Sequence, residues 1–462
     1  MAYNTKSKLS LAEKLKGIKP FIRIMLTCST KLFLLRVLSR FSLKQHQRDK
    51  VLLFTPDANS LIGSLGDAAM MTSVINTIKA DSPSTQVCIA GYKNEDIDMP
   101  GVGPMRVIGV FNKTHGITNF HRALLEARGV VMLGADIMDG HYNPGFVCQL
   151  IALANHASRY NVPVSILGFS FNKSPHPSAL HAFSTLKKNI AVFIRGEPSR
   201  QRFSQLTKCQ SDLVADVAFL LRPNHPGDAV LTWIRQQREK NGLVVGLNIN
   251  FHAFGRLANN IDQFVEQFID YLPATIDQRP VSYLFIPHDF KKKSGDMALA
   301  EIFTAKYAAT FADRAWCFKT NHPSEIKGLM NHLDFLLTGR MHLAIAALGA
   351  GTPTIGIAYQ DKFEDLFMHF GLSGQGFLLT PDKCLSEKLN STLCAAWNQQ
   401  KEIRQIIASR LPTVLMLSKK NLDPLLKNLS GKFTPKQFDL KSRLWLNADF
   451  IAFGSTVTDW IS

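Results

Sequence analysis

Arg340 and His342 stand two residues apart, where the apolar run Phe335–Thr338 gives way to a helix of small residues (Ala344, Ala346, Ala347, Ala350). Arginine presents a planar fork of donors that suits carboxylate or phosphate, and histidine titrates near neutrality. The pair can therefore hold an anion and move a proton beside it. A helix start also offers free N–H groups and the positive end of a dipole. Both favour an anion and lower a neighbouring histidine's pKa until the anion raises it again. Gly349 and Gly351 close the helix, Pro353 blocks its continuation, and a new strand follows.

Other residues with chemistry to offer fall at predicted strand ends or the loops after them. Arg195 ends the run Val192–Arg195, and Lys362 follows Thr354–Ala358 with Tyr359 just before it. Asp67 and Asp136 are expected in the loops after Val51–Thr55 and Val130–Gly134; His288 follows Tyr283–Pro287, with Asp289 beside it. Each also has a plain structural reading, as a capping arginine, a solvated lysine, a turn-stabilising aspartate or a loop histidine. The seven cysteines and fourteen histidines show neither CxxC pairs nor ligand spacing. No metal site and no disulfide framework is expected, and a reducing, cytoplasmic compartment is. "GSLGDAA" (Gly63–Ala69) lacks the Gly-Lys-Ser/Thr ending of a P-loop, and Gly101–Pro104 precedes a strand, so it is not a dinucleotide fingerprint.

Positioning these residues requires a layered scaffold. From residue 51 short apolar runs alternate with helical periodicity: Gln86–Ala90, Met105–Phe111 and Val164–Gly168 as strands, Ala68–Lys79 and Phe146–Tyr160 as helices. The pattern predicts parallel sheets covered on both faces. "RPNHPG" (Arg222–Gly227) interrupts it, and a second set follows a helix at Asp228–Lys240, with strands at Leu243–Asn248 and Ala315–Lys319. The expected fold is α/β, with two Rossmann-like domains facing a cleft. Residues 50–225 form the first domain and 226–430 the second, flanked by an extension at 1–49 and a tail at 431–462. In such sheets ligands bind beyond the carboxyl ends of the strands.

The formal charge of +17 is concentrated at the start, where residues 1–49 hold eleven Lys or Arg against Glu13 and Asp49. Arg23, Lys31 and Arg36 interrupt the apolar runs there, so neither a membrane span nor a secretory signal is expected. A basic amphipathic helix or helix pair fits better, placed on an anionic membrane surface or packed on the adjoining domain with its charges in water. The absence of an aromatic-interleaved basic stripe argues against nucleic acid.

The segment "GRMHLAIAALGAGTPTIGIAYQDK" (Gly339–Lys362) resembles the signature of the polysaccharide pyruvyl transferase family, filled here by Arg340, His342, Gly351, Pro353, Tyr359 and Lys362. Further pieces occur in family order: "GSLGDAAM", "MLGADIMDG", "ILGFSFN", "FIRGEPSRQRF", "LVADVAFLL", "VGLNIN" and "FIPHDF". Two departures stand out. Ala135 and Asp136 replace glycines, and Arg195 is followed by Gly196 in place of an aspartate, with Glu197 next in line as its substitute.

The resemblance implies a GT-B-like enzyme that moves pyruvate from phosphoenolpyruvate, as co-substrate, to a sugar or lipid-linked oligosaccharide of an envelope polysaccharide, with no cofactor. It implies donor contacts by Arg195, Arg340, Lys362 and Tyr359, a proton from His342, and Asp67, Asp136 or His288 as base or acceptor anchor. Two other classes share the scaffold: a nucleotide-sugar glycosyltransferase, and a non-catalytic glycan- or lipid-binding protein.

Overall fold

The computed structural model describes residues 18–24, 30–32, 48–250, 253–255, 261–289, 296–358 and 362–431. Tyr359, nearly all of the tail at 431–462 and most of residues 1–49 lie outside the described residues. The first half runs β1 (Lys50–Phe54), α1 (Leu65–Asp81), β2 (Gln86–Ala90), β3 (Glu95–Met99), β4 (Gly103–Ile108), α2 (Gly116–Leu125), β5 (Ala127–Ala135), α3 (Pro144–Ser158), β6 (Val164–Phe169), α4 (Pro177–Ser184), β7 (Ala191–Ile194), α5 (Glu197–Thr207) and β8 (Asp212–Leu213). Its sheet has the order β3-β4-β2-β1-β5-β6-β7-β8 and is parallel except where β3 meets β4.

Alternation along β1 shows why the sheet is covered twice. Val51 and Leu53 face one cluster with Ile75 and Ile78 of α1, whereas Leu52 and Phe54 face another with Ile151 of α3. β3 (EDIDM) carries too many acids for a buried run and escapes the hydrophobic pattern. It is an edge strand, where charge discourages pairing with another chain. α1 starts earlier than its periodicity predicts. Ser64 accepts a hydrogen bond from the Asp67 N–H at 3.2 Å, so Gly66 and Asp67 lie in the first helical turn and not in a loop.

A short 3-10 turn, Val217–Leu220, leads into the second half: α6 (Asp228–Glu239), β9 (Leu243–Asn248), α7 (Ile261–Tyr271), β10 (Thr275–Ile276), β11 (Arg279–Phe285), α8 (Asp296–Phe311), β12 (Ala315–Cys317), α9 (Pro323–Met330), β13 (Phe335–Thr338), α10 (Met341–Gly349), β14 (Thr354–Ile357), α11 (Lys362–Phe370) and β15 (Leu378–Leu379). These strands form a second sheet in the order β10-β11-β9-β13-β14-β15, with β12 also paired to β11. The helices α12 (Glu387–Asn398), α13 (Gln400–Lys420) and α14 (Asp423–Ser430) complete the described chain.

The last two helices return to the first sheet. Asn421 Oδ1 accepts from the Gly168 N–H of β6 at 2.8 Å, and its amide donates to the carbonyls of Ala215 and Ser418. Asn428 and Arg128 exchange side-chain-to-backbone bonds, and Leu425 packs where Gly129 of β5 has no side chain. The second segment of sequence thus supplies part of the first half's cover. Asn421→Ala would strand two buried backbone groups, the Gly168 N–H and the Ala215 carbonyl, at about 1–3 kcal/mol for each group left unsatisfied. Chemical denaturation should show a loss of at least about 2 kcal/mol, and an unchanged midpoint would refute this role for the residue.

Candidate active site at the seam between the sheets

β13 ends at Thr338, whose hydroxyl accepts from the Arg340 N–H at 3.0 Å, and Arg340 occupies the N-cap of α10. The small side chains of α10 let it settle among β13, β14, α1 and the 3-10 turn, so its first turn lies in the seam between the halves. From the other side α1 approaches with equal intimacy. Leu65 N–H donates to the His288 carbonyl at 3.1 Å, and Ser64 bridges Asp289. A β-carbon on Gly66 would lie 2.3 Å from His342 Nδ1, so only glycine permits this contact.

Each expected cation is paired with carboxylate. Arg340 reaches Asp296 at 2.6 Å and Asp289 at 3.1 Å, both from the second half. Arg195, at the carboxyl end of β7, is only 5% exposed; it donates to Asp216 at 2.5 Å and to Ser170 at 2.9 Å. Lys362, at the start of α11, reaches across to Asp136 at 3.2 Å, and 35% of the Asp136 side chain remains open to solvent. His342 Nε2 lies 3.6 Å from Asp216 Oδ2, within ion-pair range but longer than a hydrogen bond. That nitrogen is shielded from solvent and has no hydrogen-bond partner among the described residues.

Burial and charge divide these groups electrostatically. Burial pushes Asp67 up to about 6, against the pull of the His342 charge and the Ser64 hydroxyl. Burial also works to raise Asp136 and Asp216, but cations prevail in both cases. Lys362 and Arg195 hold Asp136 below the usual carboxylate range; His342 and Arg195 hold Asp216 well below it. His288 is driven far below its ordinary value by burial and by the positive charges of His342 and Arg340. It is a neutral ring behind the site, with its backbone N–H on Asp296 at 3.2 Å.

The structure thus gathers Arg340, His342, Arg195, Lys362, Asp67, Asp136 and His288 around one seam. Tyr359 lies outside the described residues. Glu197 does not orient Arg195: it forms a bidentate pair with Arg200, and Asp216 takes the role. The reason lies at Gly196, where a β-carbon would come 2.2 Å from Asp365 Cγ. Asp365 of α11 fills that space and accepts from Ser199 at 2.6 Å, while His369 Nε2 meets the Arg195 carbonyl at 3.0 Å. An acid from the second half has taken the room that an aspartate at 196 would need.

Asp216, Asp289 and Asp296 escaped the sequence reading as site residues. The first lies inside the quoted "LVADVAFLL", where it caps the 3-10 turn in place of continuing a strand. Asp289 adjoins His288, whereas nothing in the sequence around Asp296 singles it out.

Two parallel-sheet halves meeting at a seam, with the carboxyl ends of β5, β7, β11 and β13 turned toward it, define a GT-B-like enzyme fold. Solved structures agree. A UDP-N-acetylglucosamine 2-epimerase structure is 12% identical with a TM-score of 0.51, covering 85% of this chain and 99% of the other. A Listeria monocytogenes structure described as that of such an epimerase has the same score and coverage at 10% identity. A trehalose-6-phosphate synthase scores 0.50 at 9% identity, covering 84% and 100%. At this identity the likeness concerns the fold alone. No curated protein sequence matches the chain. The chain belongs to the polysaccharide pyruvyl transferase family, whose profile matches residues 65–361.

Gly66→Ala tests the contact on which the seam is built. The added methyl has to displace the imidazole or separate the halves, so pyruvyl transfer should fall at least about a hundredfold, as a roughly 1 Å misplacement can cause. Wild-type turnover by the variant would show that His342 is not held there.

Proposed function

We propose that the chain transfers pyruvate from phosphoenolpyruvate to two hydroxyls of a sugar in an envelope polysaccharide or its lipid-linked precursor, forming a ketal and releasing phosphate. The observation that carries this reading is the meeting of Arg340 and His342 at a helix start with Arg195, Lys362 and Asp136 from elements on both sides of the seam, in a chain of this family.

The donor carries phosphate and carboxylate on three carbons and needs several cations close together. Arg340 and Arg195 supply two, each oriented by its carboxylates. Lys362 is the third, and its pair with the partly exposed Asp136 is the weakest of the three and the first a ligand anion can displace. Once Lys362 turns to the donor phosphate, Asp136 loses the charge that holds its pKa down and becomes a better base for an acceptor hydroxyl.

His342 gives a proton to the donor's methylene carbon, leaving a cation at C2 that the first sugar hydroxyl attacks. The C2–O bond to phosphate then breaks, and the second hydroxyl closes the ketal. Of the two hydroxyl protons, one restores His342 and the other leaves with phosphate. Asp67 is the second candidate base on this reading, and no cofactor is required.

Thermal unfolding with phosphoenolpyruvate against a panel of nucleotide sugars, with phosphate release followed by ³¹P NMR, is the direct test. Ligand at a hundred times its dissociation constant should stabilise the chain by roughly 2.7 kcal/mol. His342→Gln should keep that stabilisation and lose phosphate release. Stabilisation by a nucleotide sugar alone would overturn the reading in favour of glycosyl transfer.

We further propose an anionic membrane surface as the place of work. Leu32 lies in the first half's core, Phe21 and Ile24 pack against it, and the Phe21 ring is tilted against His181 of α4 at 5.7 Å. Apolar side chains of the described residues 18–24 and 30–32 are therefore engaged by protein, while Lys19, Arg23 and Lys31 are exposed. Contact of these three side chains with lipid is electrostatic. Among the described residues no helix is long and apolar enough to cross a membrane. Reversing Lys19, Arg23 and Lys31 to Glu should reduce sedimentation with phosphatidylglycerol vesicles at least tenfold at low salt and leave donor stabilisation intact. Unchanged sedimentation would refute this surface.

A further inference from the structure

Three facts about His342 belong together. Its Nε2 is shielded and faces Asp216; its Nδ1 lies against Gly66; and Asp216 is at the same time bonded to Arg195 from the first half. Asp216 has little freedom to do otherwise. Its Oδ1 accepts from the Ala218 N–H at 2.9 Å, its carbonyl accepts from Ser418 at 2.6 Å, and its side chain is 3% exposed. The turn it caps is fastened below by Lys327, a buried amine that donates to the Phe219 and Leu221 carbonyls at 2.7 Å each.

We propose that Asp216 is the positioning residue of the site, holding His342 with its proton on Nε2 so that Nδ1 is the nitrogen that gives up and regains a proton, while Arg195 moderates the strength of that hold. An anionic partner favours a charged imidazolium, and a cation on the same carboxylate weakens that preference. Closing the 3.6 Å gap by about half an ångström converts the ion pair into a charge-assisted hydrogen bond. On this account the proton passed to the donor leaves from Nδ1, and the neutral ring that remains keeps its Nε2–H on Asp216. The inference rests on the pyruvyl-transfer reading for the purpose of that proton, but not for its location.

The other charged groups near the ring are Asp67 from α1, Asp136 from the end of β5, Arg340 at the start of α10, and Lys327 of α9, which lines the same small cavity. His288, after β11, is neutral and adds none. Asp216 is paired with both His342 and Arg195, so substitutions there and at Arg195 should move the ring in opposite directions.

The test is an NMR titration of the full-length chain carrying ¹³C,¹⁵N-labelled histidine, with the His342 signals assigned by their loss in His342→Gln. The neutral ring should be the Nε2–H tautomer. Asp216→Asn should lower its midpoint by roughly one to three pH units, and Arg195→Gln should raise it. A purely structural role would lower the unfolding temperature without these opposed shifts. An Nδ1–H tautomer, or midpoints unmoved in both variants, would overturn the proposal. Should Asp216→Asn fail to fold, the Arg195→Gln titration decides alone, a rise supporting the proposal and no change refuting it. Because no substrate is present, the result stands apart from the functional reading, which fails separately if wild-type chain releases no phosphate from phosphoenolpyruvate at any pH.

Discussion

Arg195 and Asp216 are withdrawn from water together, 2.5 Å apart, at the point where the halves of the chain meet. Taking two charges into a protein interior is costly, and their attraction offsets that cost only when the remaining hydrogen-bonding capacity is also met. Here it is. Ser170 takes the arginine's Nε–H, and the carboxylate receives the Ala218 N–H. Loss of either partner would leave a charge buried among apolar neighbours, so the pair fixes where β7, the 3-10 turn and α10 stand. The chemistry inherits this rigidity, since His342 takes its place from a carboxylate that cannot move.

The balance of charge at the seam follows from the same constraint. Arg340, Arg195 and Lys362 would repel one another if gathered bare, and each is accompanied by at least one aspartate. The degrees of burial differ, from a pair almost sealed at Arg195 to one partly open at Asp136. The sealed pair serves architecture as well as charge, and the open one can exchange partners. Three cations can therefore be held close together in a stable fold.

Much of this was legible in the sequence because the features concerned are local. Alternating apolar runs announce covered parallel strands, and the passage from Phe335–Thr338 through Arg340 to an alanine-rich helix needs no knowledge of distant residues. What could not be read depends on contacts distant in sequence. Gly196 looks like the loss of an acid until Asp365 is seen filling the space from 169 residues away. Asp296 follows a lysine-rich stretch and looks solvated, yet it is buried beneath Arg340. β3 was hidden for the opposite reason, as a strand whose surroundings are mostly water.

The return of α13 and α14 to the first sheet has a consequence for the birth of the protein. Gly168 of β6 and Gly129 of β5 receive Asn421 and Leu425, which are synthesised about two hundred residues after the first half is complete. At ordinary translation speeds that interval lasts roughly 10–40 s. Throughout it the nascent first domain presents an uncovered apolar strip over β5 and β6, long enough for a chaperone to engage and for a truncated message to yield an aggregation-prone product. The final helices of the described chain act as the last stitch, and only a ribosome that has passed residue 430 releases a first domain with its surface closed.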